Sequence, residues 1–383
     1  MQSVPLLDGP VRLTGALDVD RRKTGIIPRR LPDWTRPQVP PFMVAVATQP
    51  SGVRIEFASD TRCIELDLKL ARFERGPAGV ADAIFDLVVD GAEPLAQQGA
   101  GGDRVWVDPA DLNNIEIRRG EPCTVRFEDL PAGSKQLALW LPANARVELM
   151  ELRIDSDATI TAPVPSGLRR WIHHGSSISH CSEAHSPTRT WPAVTARLAN
   201  VELLNLGLGG SCHLDQFVAR TMRDEPGDVL SLKAGINVIN MNSLTLRTFA
   251  PALHGFIDTV REGKPDTPFL VASPIICPSA EQHPGPTVPD AEGVFRIIEG
   301  DPRIRRDSLT LTMVRDIIED IVAQRRAAGD AQLHYLDGLQ LFGEADLDDL
   351  PDALHPNGDG YVRMGERFAQ LAFAGDGPLA NAT

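Results

Sequence analysis

The hydrophobic rhythm of this chain changes once, near Ser156, and that change constrains what each part can fold into. Before it, apolar residues recur at every second position. Val53-Arg54-Ile55-Glu56-Phe57 and Cys63-Ile64-Glu65-Leu66-Asp67-Leu68-Lys69-Leu70 alternate in this way, as strands with one buried face do. Residues 84–89 run into Asp90-Gly91, a hairpin signal, and 123–127, 136–141 and 147–152 add further short strands. No long helical pattern interrupts them, so the first part reads as an antiparallel β-sandwich of jelly-roll type, residues 1–160.

After the change, strand-length apolar runs (168–173, 201–206, 228–233, 269–273, 333–337) alternate with helix-length stretches (191–199, 246–262, 309–325, 361–373). Phe249, Leu253, Phe256 and Val260 fall at steps of three and four, and Leu311, Val314, Ile317, Ile318 and Ile321 gather on one side of another helix. Strand and helix in alternation imply an α/β domain, residues 161–383, whose parallel sheet carries helices on both faces. Residues 155–166, rich in Thr and Pro, suit a linker. Residues 278–302, rich in Pro and Gly and poorly periodic, suit a lid or insert. A length of 383 residues also exceeds one ordinary core.

Charge narrows the function classes. A formal net charge of −14 without a dense Lys/Arg run argues against nucleic acid and against an anionic membrane surface. No apolar stretch approaches the roughly 18 residues of a membrane helix. The start, Met1-Gln2-Ser3-Val4-Pro5, lacks the basic and apolar regions of a secretion signal, so a cytoplasmic location is expected. Five scattered cysteines without a Cys-x-x-Cys pair fit a reduced protein with no structural zinc. His173, His174, His180 and His213 crowd together in sequence, but no carboxylate joins them at ligand spacing. Neither a metal nor a resident cofactor is expected.

Ligands of open α/β sheets bind outside the carboxyl ends of the strands. Those ends carry Gly175-Ser176-Ser177-Ile178-Ser179, Asn205-Leu206-Gly207-Leu208-Gly209-Gly210 and Gly235-Ile236-Asn237. Asp352-Ala353-Leu354-His355-Pro356-Asn357 lies just before the last helix. These are the parts acyl transfer needs. Ser177 would be the nucleophile, His355 the base that takes its proton, and Asp352 the group that orients the imidazole. The amides of Ser177 and Gly210 and the side-chain NH2 of Asn237 would hold the oxyanion. Taken singly, each block has a plainer reading: a helix-entry loop at Ser177, a strand-to-helix turn at Gly210, a helix cap at Asn237. Cys181 and Cys212 read as buried fillers, and Arg189 and Lys233 as surface residues ahead of the alternative that they meet a substrate anion.

Together the blocks resemble the GDSL or SGNH hydrolase superfamily, whose four conserved positions match Ser177, Gly210, Asn237 and His355 in order, with Asp352 three residues before the histidine. The resemblance implies a flavodoxin-like three-layer α/β/α domain and ester or thioester substrates. The family's Gly-Asp-Ser is here Gly175-Ser176-Ser177. A sandwich ahead of such a domain resembles two arrangements. One is that of carbohydrate esterases that deacetylate sugars. The other is that of salicylyl-type acyltransferases, which move an aromatic acyl group from coenzyme A to a polyketide hydroxyl. The second implies an acyl-Ser177 intermediate, acyl-coenzyme A as donor substrate and a small hydroxyl compound as acceptor; the esterase is the alternative. The first part holds Trp34, Trp106 and Trp140 but no Tyr, which favours a wall of the substrate pocket over a sugar-binding platform.

Overall fold

The computed structural model describes residues 1–74, 79–107 and 115–380. Contacts divide the chain into two compact units, Met1–Gly167 with His185–Thr188, and Leu168–Ala184 with Arg189–Thr383.

In the first unit two sheets enclose one core. The larger sheet is centred on the antiparallel pair Ile64–Glu74 and Ala145–Ile154, the smaller on Arg54–Ser59, Lys135–Trp140 and Ala83–Val89. The alternation read from sequence becomes burial: Ile64, Leu66, Leu68 and Leu70 point into the core, while Glu65, Asp67 and Lys69 stay partly exposed. A register shift between Leu149 and Glu151 lets both Leu149 and Leu152 face inward, although they are three apart.

Three features depart from the sequence reading. Ile64–Glu74 pairs with Asp103–Val107 in parallel. The chain between them passes through two strands of the other sheet, Ala83–Val89 and Leu95–Gly99, and so can return in the same direction. A short helix, Pro41–Ala47, begins on a proline, where a missing N–H costs nothing. Within the stretch read as a linker, Ile160–Thr161 pairs with Arg54–Ser59. There Ser59 Oγ donates to the Thr159 carbonyl at 2.7 Å, and Thr159 N–H donates to Asp60 at 2.7 Å.

The second unit is built on five parallel strands: β1 (Arg170–Gly175), β2 (Glu202–Gly207), β3 (Val229–Lys233), β4 (Phe269–Ala272) and β5 (Leu333–Leu336). Their order is β2-β1-β3-β4-β5, the flavodoxin-like arrangement, with its switch point between β1 and β3. Besides a single turn at Pro302–Arg305, the helices are α1 (Ser177–His180), α2 (Trp191–Ala199), α3 (Gln216–Asp224), α4 (Ile236–Asn240), α5 (Leu246–Gly263), α6 (Leu311–Ala327) and α7 (Gly358–Phe368). Trp171 of β1 packs on Trp191 of α2 and Phe368 of α7, while His174 stacks on Phe256 of α5. Residues three apart on a strand face opposite ways, so the sheet is covered on both sides. Between β4 and α6 lies a two-stranded hairpin, Thr287–Pro289 with Phe295–Ile297. Among the described residues no helix is long and apolar enough to cross a membrane.

Candidate active site

At the end of β1, Ser176 caps α1 by accepting the Ile178 N–H at 3.3 Å, and Ser177 is the first helical residue. The helix closes after one turn, where Cys181 adopts φ +59 and donates its N–H to the Ser177 carbonyl at 2.8 Å. Of the three serines here, Ser176 and Ser179 are 1% and 0% exposed, whereas Ser177 is partly open. Ser179 is held from below: its Oγ lies 2.8 Å from His173 Nε2, and His173 Nδ1 lies 2.7 Å from Ser231 Oγ. Ser231 in turn accepts the Trp171 indole N–H at 2.8 Å. Burial first, then His174 and Lys233, hold His173 well below its usual pKa, so it is neutral with one donor and one acceptor nitrogen. One ring nitrogen of His173 therefore donates to its serine and the other accepts from its serine, so the imidazole bridges Ser231 and Ser179.

The end of β2 lies against α1. A Cβ at Gly207 would fall 2.5 Å from the Ser179 backbone, so only glycine permits this approach. Asn205 ties the two elements, donating to the Ser179 carbonyl at 3.0 Å and accepting the Gly207 N–H at 2.8 Å. A Cβ added to Gly209 would stand 3.8 Å from Ser177, so this loop borders the serine. Gly210 turns with φ +63, the left-handed region glycine favours. His213 steadies that turn, with Nε2 at 3.1 Å from the Gly210 carbonyl and Nδ1 at 2.7 Å from Ser243 Oγ. Asn237, in the first turn of α4, accepts the Cys212 N–H through Oδ1 at 2.9 Å, which commits the other end of its amide to donate. The backbone N–H groups of Ser177 and Gly210 have no acceptor among the described residues.

The third part comes from the loop before α7. Asn357 caps that helix by accepting the Gly360 N–H at 2.8 Å, and its amide donates to Asp349 at 2.8 Å. Arg363 of α7 donates to the same Asp349 at 2.6 Å. On the loop so anchored, Asp352 Oδ1 accepts the N–H groups of Leu354 (2.9 Å) and His355 (2.6 Å). Its Oδ2 lies 2.6 Å from His355 Nδ1, and His355 Nε2 lies 2.8 Å from Ser177 Oγ. Burial opposes ionisation of Asp352. The hydrogen bond and charge of His355 with the two backbone amides outweigh it, and the carboxyl lies below its usual value. The edge-on ring of Phe295 sits 5.7 Å from the imidazole.

The structure thus joins Ser177, His355 and Asp352 in one line of hydrogen bonds, with the loop of Gly210 beside the serine and Asn237 bonded to that loop. Such a line can pass a proton from hydroxyl to imidazole while a carboxylate stabilises the imidazolium, and nearby unpaired donors can receive an oxyanion. Arg189 is exposed, as its type suggests. Lys233, read as a surface residue, is instead 2% exposed on β3, in register with Gly175. Burial lowers its pKa to about 8. Beside it, burial pushes the Cys212 thiol up to about 12. None of the five cysteines forms a disulfide, and Cys181 and Cys212 are buried. Among the described residues no group of three His, Cys, Asp or Glu is placed to hold a metal.

Residues 174–363 match the model of the GDSL-like Lipase/Acylhydrolase family. Among solved structures, the chain is similar to the salicylyl-acyltransferase SsfX3 from a tetracycline biosynthetic pathway, at 26% identity and TM-score 0.78, over 96% of this chain and 95% of that one. A putative GDSL-like lipase from Bacteroides ovatus shares the fold at 19% identity and TM-score 0.67, over 96% and 95%. A family two carbohydrate esterase from Clostridium thermocellum shares it at 16% identity and TM-score 0.58, over 94% and 97%. No curated protein sequence matches the chain significantly.

Proposed function

We propose, from the premise that residues 174–363 are a domain of the GDSL-like lipase/acylhydrolase family, that this chain is a serine acyltransferase working through an acyl-Ser177 intermediate. The observation that carries this reading is the line from Ser177 Oγ to His355 Nε2 (2.8 Å) and from His355 Nδ1 to Asp352 (2.6 Å). Ser177 Oγ attacks the carbonyl of an acyl donor as its proton passes to His355, and Asp352 holds the imidazolium. The N–H groups of Ser177 and Gly210 and the NH2 of Asn237 receive the negative oxygen of the tetrahedral intermediate. As the intermediate collapses, the leaving group departs with the proton from His355. An acceptor hydroxyl then gives its proton to His355 and attacks the acyl-serine; as this second intermediate collapses, His355 returns the proton to Ser177 Oγ and the product ester leaves.

For the donor we infer an aromatic acyl thioester of coenzyme A, and for the acceptor a polyketide hydroxyl. Similarity along the whole chain to a salicylyl-acyltransferase supports both. The same triad would serve an esterase if water replaced the alcohol, and exclusion of water from the acyl-enzyme decides between them. The test incubates the protein with a panel of acyl-coenzyme A thioesters and measures intact and peptide mass. One acyl mass on the Ser177 peptide is expected, and none in Ser177→Ala. A label on Ser179 or Cys181 would overturn the assignment. Release of the adduct by an alcohol, faster than by water, marks the transferase.

A further inference from the structure

The hairpin after β4 reaches two parts of the site. Its register pairs Thr287 with Ile297 and Pro289 with Phe295, so these four residues share one face, opposite Val288 and Arg296. Asp290 organises the turn by accepting the N–H groups of Glu292 (3.0 Å) and Val294 (2.9 Å). At its foot, Glu281 accepts the Cys277 N–H at 3.0 Å and is held by both guanidinium nitrogens of Arg315 on α6, at 2.6 and 2.8 Å. Gly285 passes so close to α4 that a Cβ there would lie 1.9 Å from the Ile239 carbonyl. At the other end, the Phe295 N–H donates to the Asp352 carbonyl at 2.9 Å, and the Phe295 ring stands at 74° to the His355 ring. One strap therefore runs from the helix that carries Asn237 to the loop that carries Asp352 and His355.

The strap leaves apolar surface open. Phe295, on the face opposite Val288 and Arg296, is only partly buried. The ring abuts the imidazole whose Nε2 lies 2.8 Å from Ser177 Oγ, so it is no farther from that oxygen than these two separations and a ring radius together. A planar aromatic acyl group on Ser177 extends a ring's length into that distance, whereas an acetyl group extends only one methyl beyond the carbonyl.

We infer that Phe295 is a specificity-determining residue of the Ser177 site: its ring, held beside His355 by the strap, is the wall against which a flat aromatic acyl group packs. This rests on the proposed acylation of Ser177 and names its acyl class. Ring-on-ring contact is worth about a factor of two to twelve beyond the area covered, and the lost apolar area adds to it, so loss of the ring changes discrimination by about tenfold. Covering the acyl carbonyl with apolar surface also keeps water from it.

The test compares p-nitrophenyl benzoate with p-nitrophenyl acetate, which share a leaving group, on wild type, Phe295→Leu, Phe295→Ala and Ser177→Ala. The backbone bond to Asp352 survives both Phe295 changes, so they isolate the ring. The benzoyl-to-acetyl ratio of kcat/KM is expected to fall about tenfold in Phe295→Ala and less in Phe295→Leu. A residue that only positioned His355 would lower both esters together and shift the pH profile of both. A ratio within twofold of wild type, whatever the absolute rates, would overturn the assignment of Phe295 provided Ser177→Ala is inactive. Turnover persisting in Ser177→Ala would instead refute the serine mechanism itself.

Discussion

Asp352→Asn separates the chemistry of the carboxylate from its structural duty, because the two oxygens have different partners. Oδ1 accepts two backbone N–H groups, at 2.9 and 2.6 Å, and Oδ2 faces His355 Nδ1 at 2.6 Å. An asparagine must keep its carbonyl oxygen toward the two N–H donors. Turning its NH2 there would break both bonds, at about 1–3 kcal/mol for each donor left unpaired. The NH2 is therefore forced against Nδ1, which becomes an acceptor, and the ring proton moves to Nε2. An Nε2–H cannot take the Ser177 proton. In serine triads this tautomer exchange costs about 10⁴ in kcat, or roughly 5.5 kcal/mol. The loop keeps its backbone bonds, so the variant stays folded. Its stability loses one pH-dependent increment. The wild-type carboxyl ionises below its unfolded value, so it stabilises the fold above roughly pH 4 and that contribution fades as pH falls through the folded value. The assay is kcat at pH 7 on an activated ester or acyl thioester, with thermal melting alongside. Turnover within tenfold of wild type, with normal melting, would refute the assignment of Asp352 as the group that orients the base.

Two further outcomes follow from the same geometry. Asn237→Ala removes a proposed oxyanion donor and should cost about 10²–10³ in kcat. It also leaves the Cys212 N–H without its acceptor, at about 1–3 kcal/mol of stability. Turnover that falls less than tenfold, whatever the change in melting, would remove Asn237 from the oxyanion site. Lys233→Met concerns the fold. The lysine falls from an ordinary 10.5 to about 8 in the folded chain. Between those values the unfolded chain holds a proton that the folded chain does not, so wild-type stability rises with pH across that window. At pH 7 the buried charge costs about 3 kcal/mol. The methionine variant should be more stable there, and its advantage should shrink as pH rises from 8 to 10.5. A gap measured by denaturant unfolding that stays constant over that range would refute the buried charge.

What could be read in advance, and what could not, follows from how each residue contributes. The alternation over Ile64–Glu74 and the helical spacing of Phe249, Leu253, Phe256 and Val260 were legible because burial of one face imposes a period on residue type. Ser177, Asp352 and His355 were legible because each supplies a side chain of particular chemistry at a strand end or helix entry. Lys233 was misread from its type. A strand of a parallel sheet covered on both faces has no solvent side, so Val229–Lys233 buries all five positions, and the burial was implicit in the fold class itself. Pro41–Ala47 is too short for a period to emerge, and the pair Pro40-Pro41 resembles a loop until the second is seen to start a helix. The parallel pairing of Asp103–Val107 depends on where the intervening strands go, which no local pattern records. The hairpin is the most instructive case. Its strands are three residues each, and its tie to the Asp352 loop is a backbone N–H of Phe295, which any residue but proline could supply. A backbone bond imposes no residue type, so that half of the strap's function is invisible in sequence. The other half, the Phe295 ring left partly open beside His355, is a side-chain feature, the kind a residue type can record.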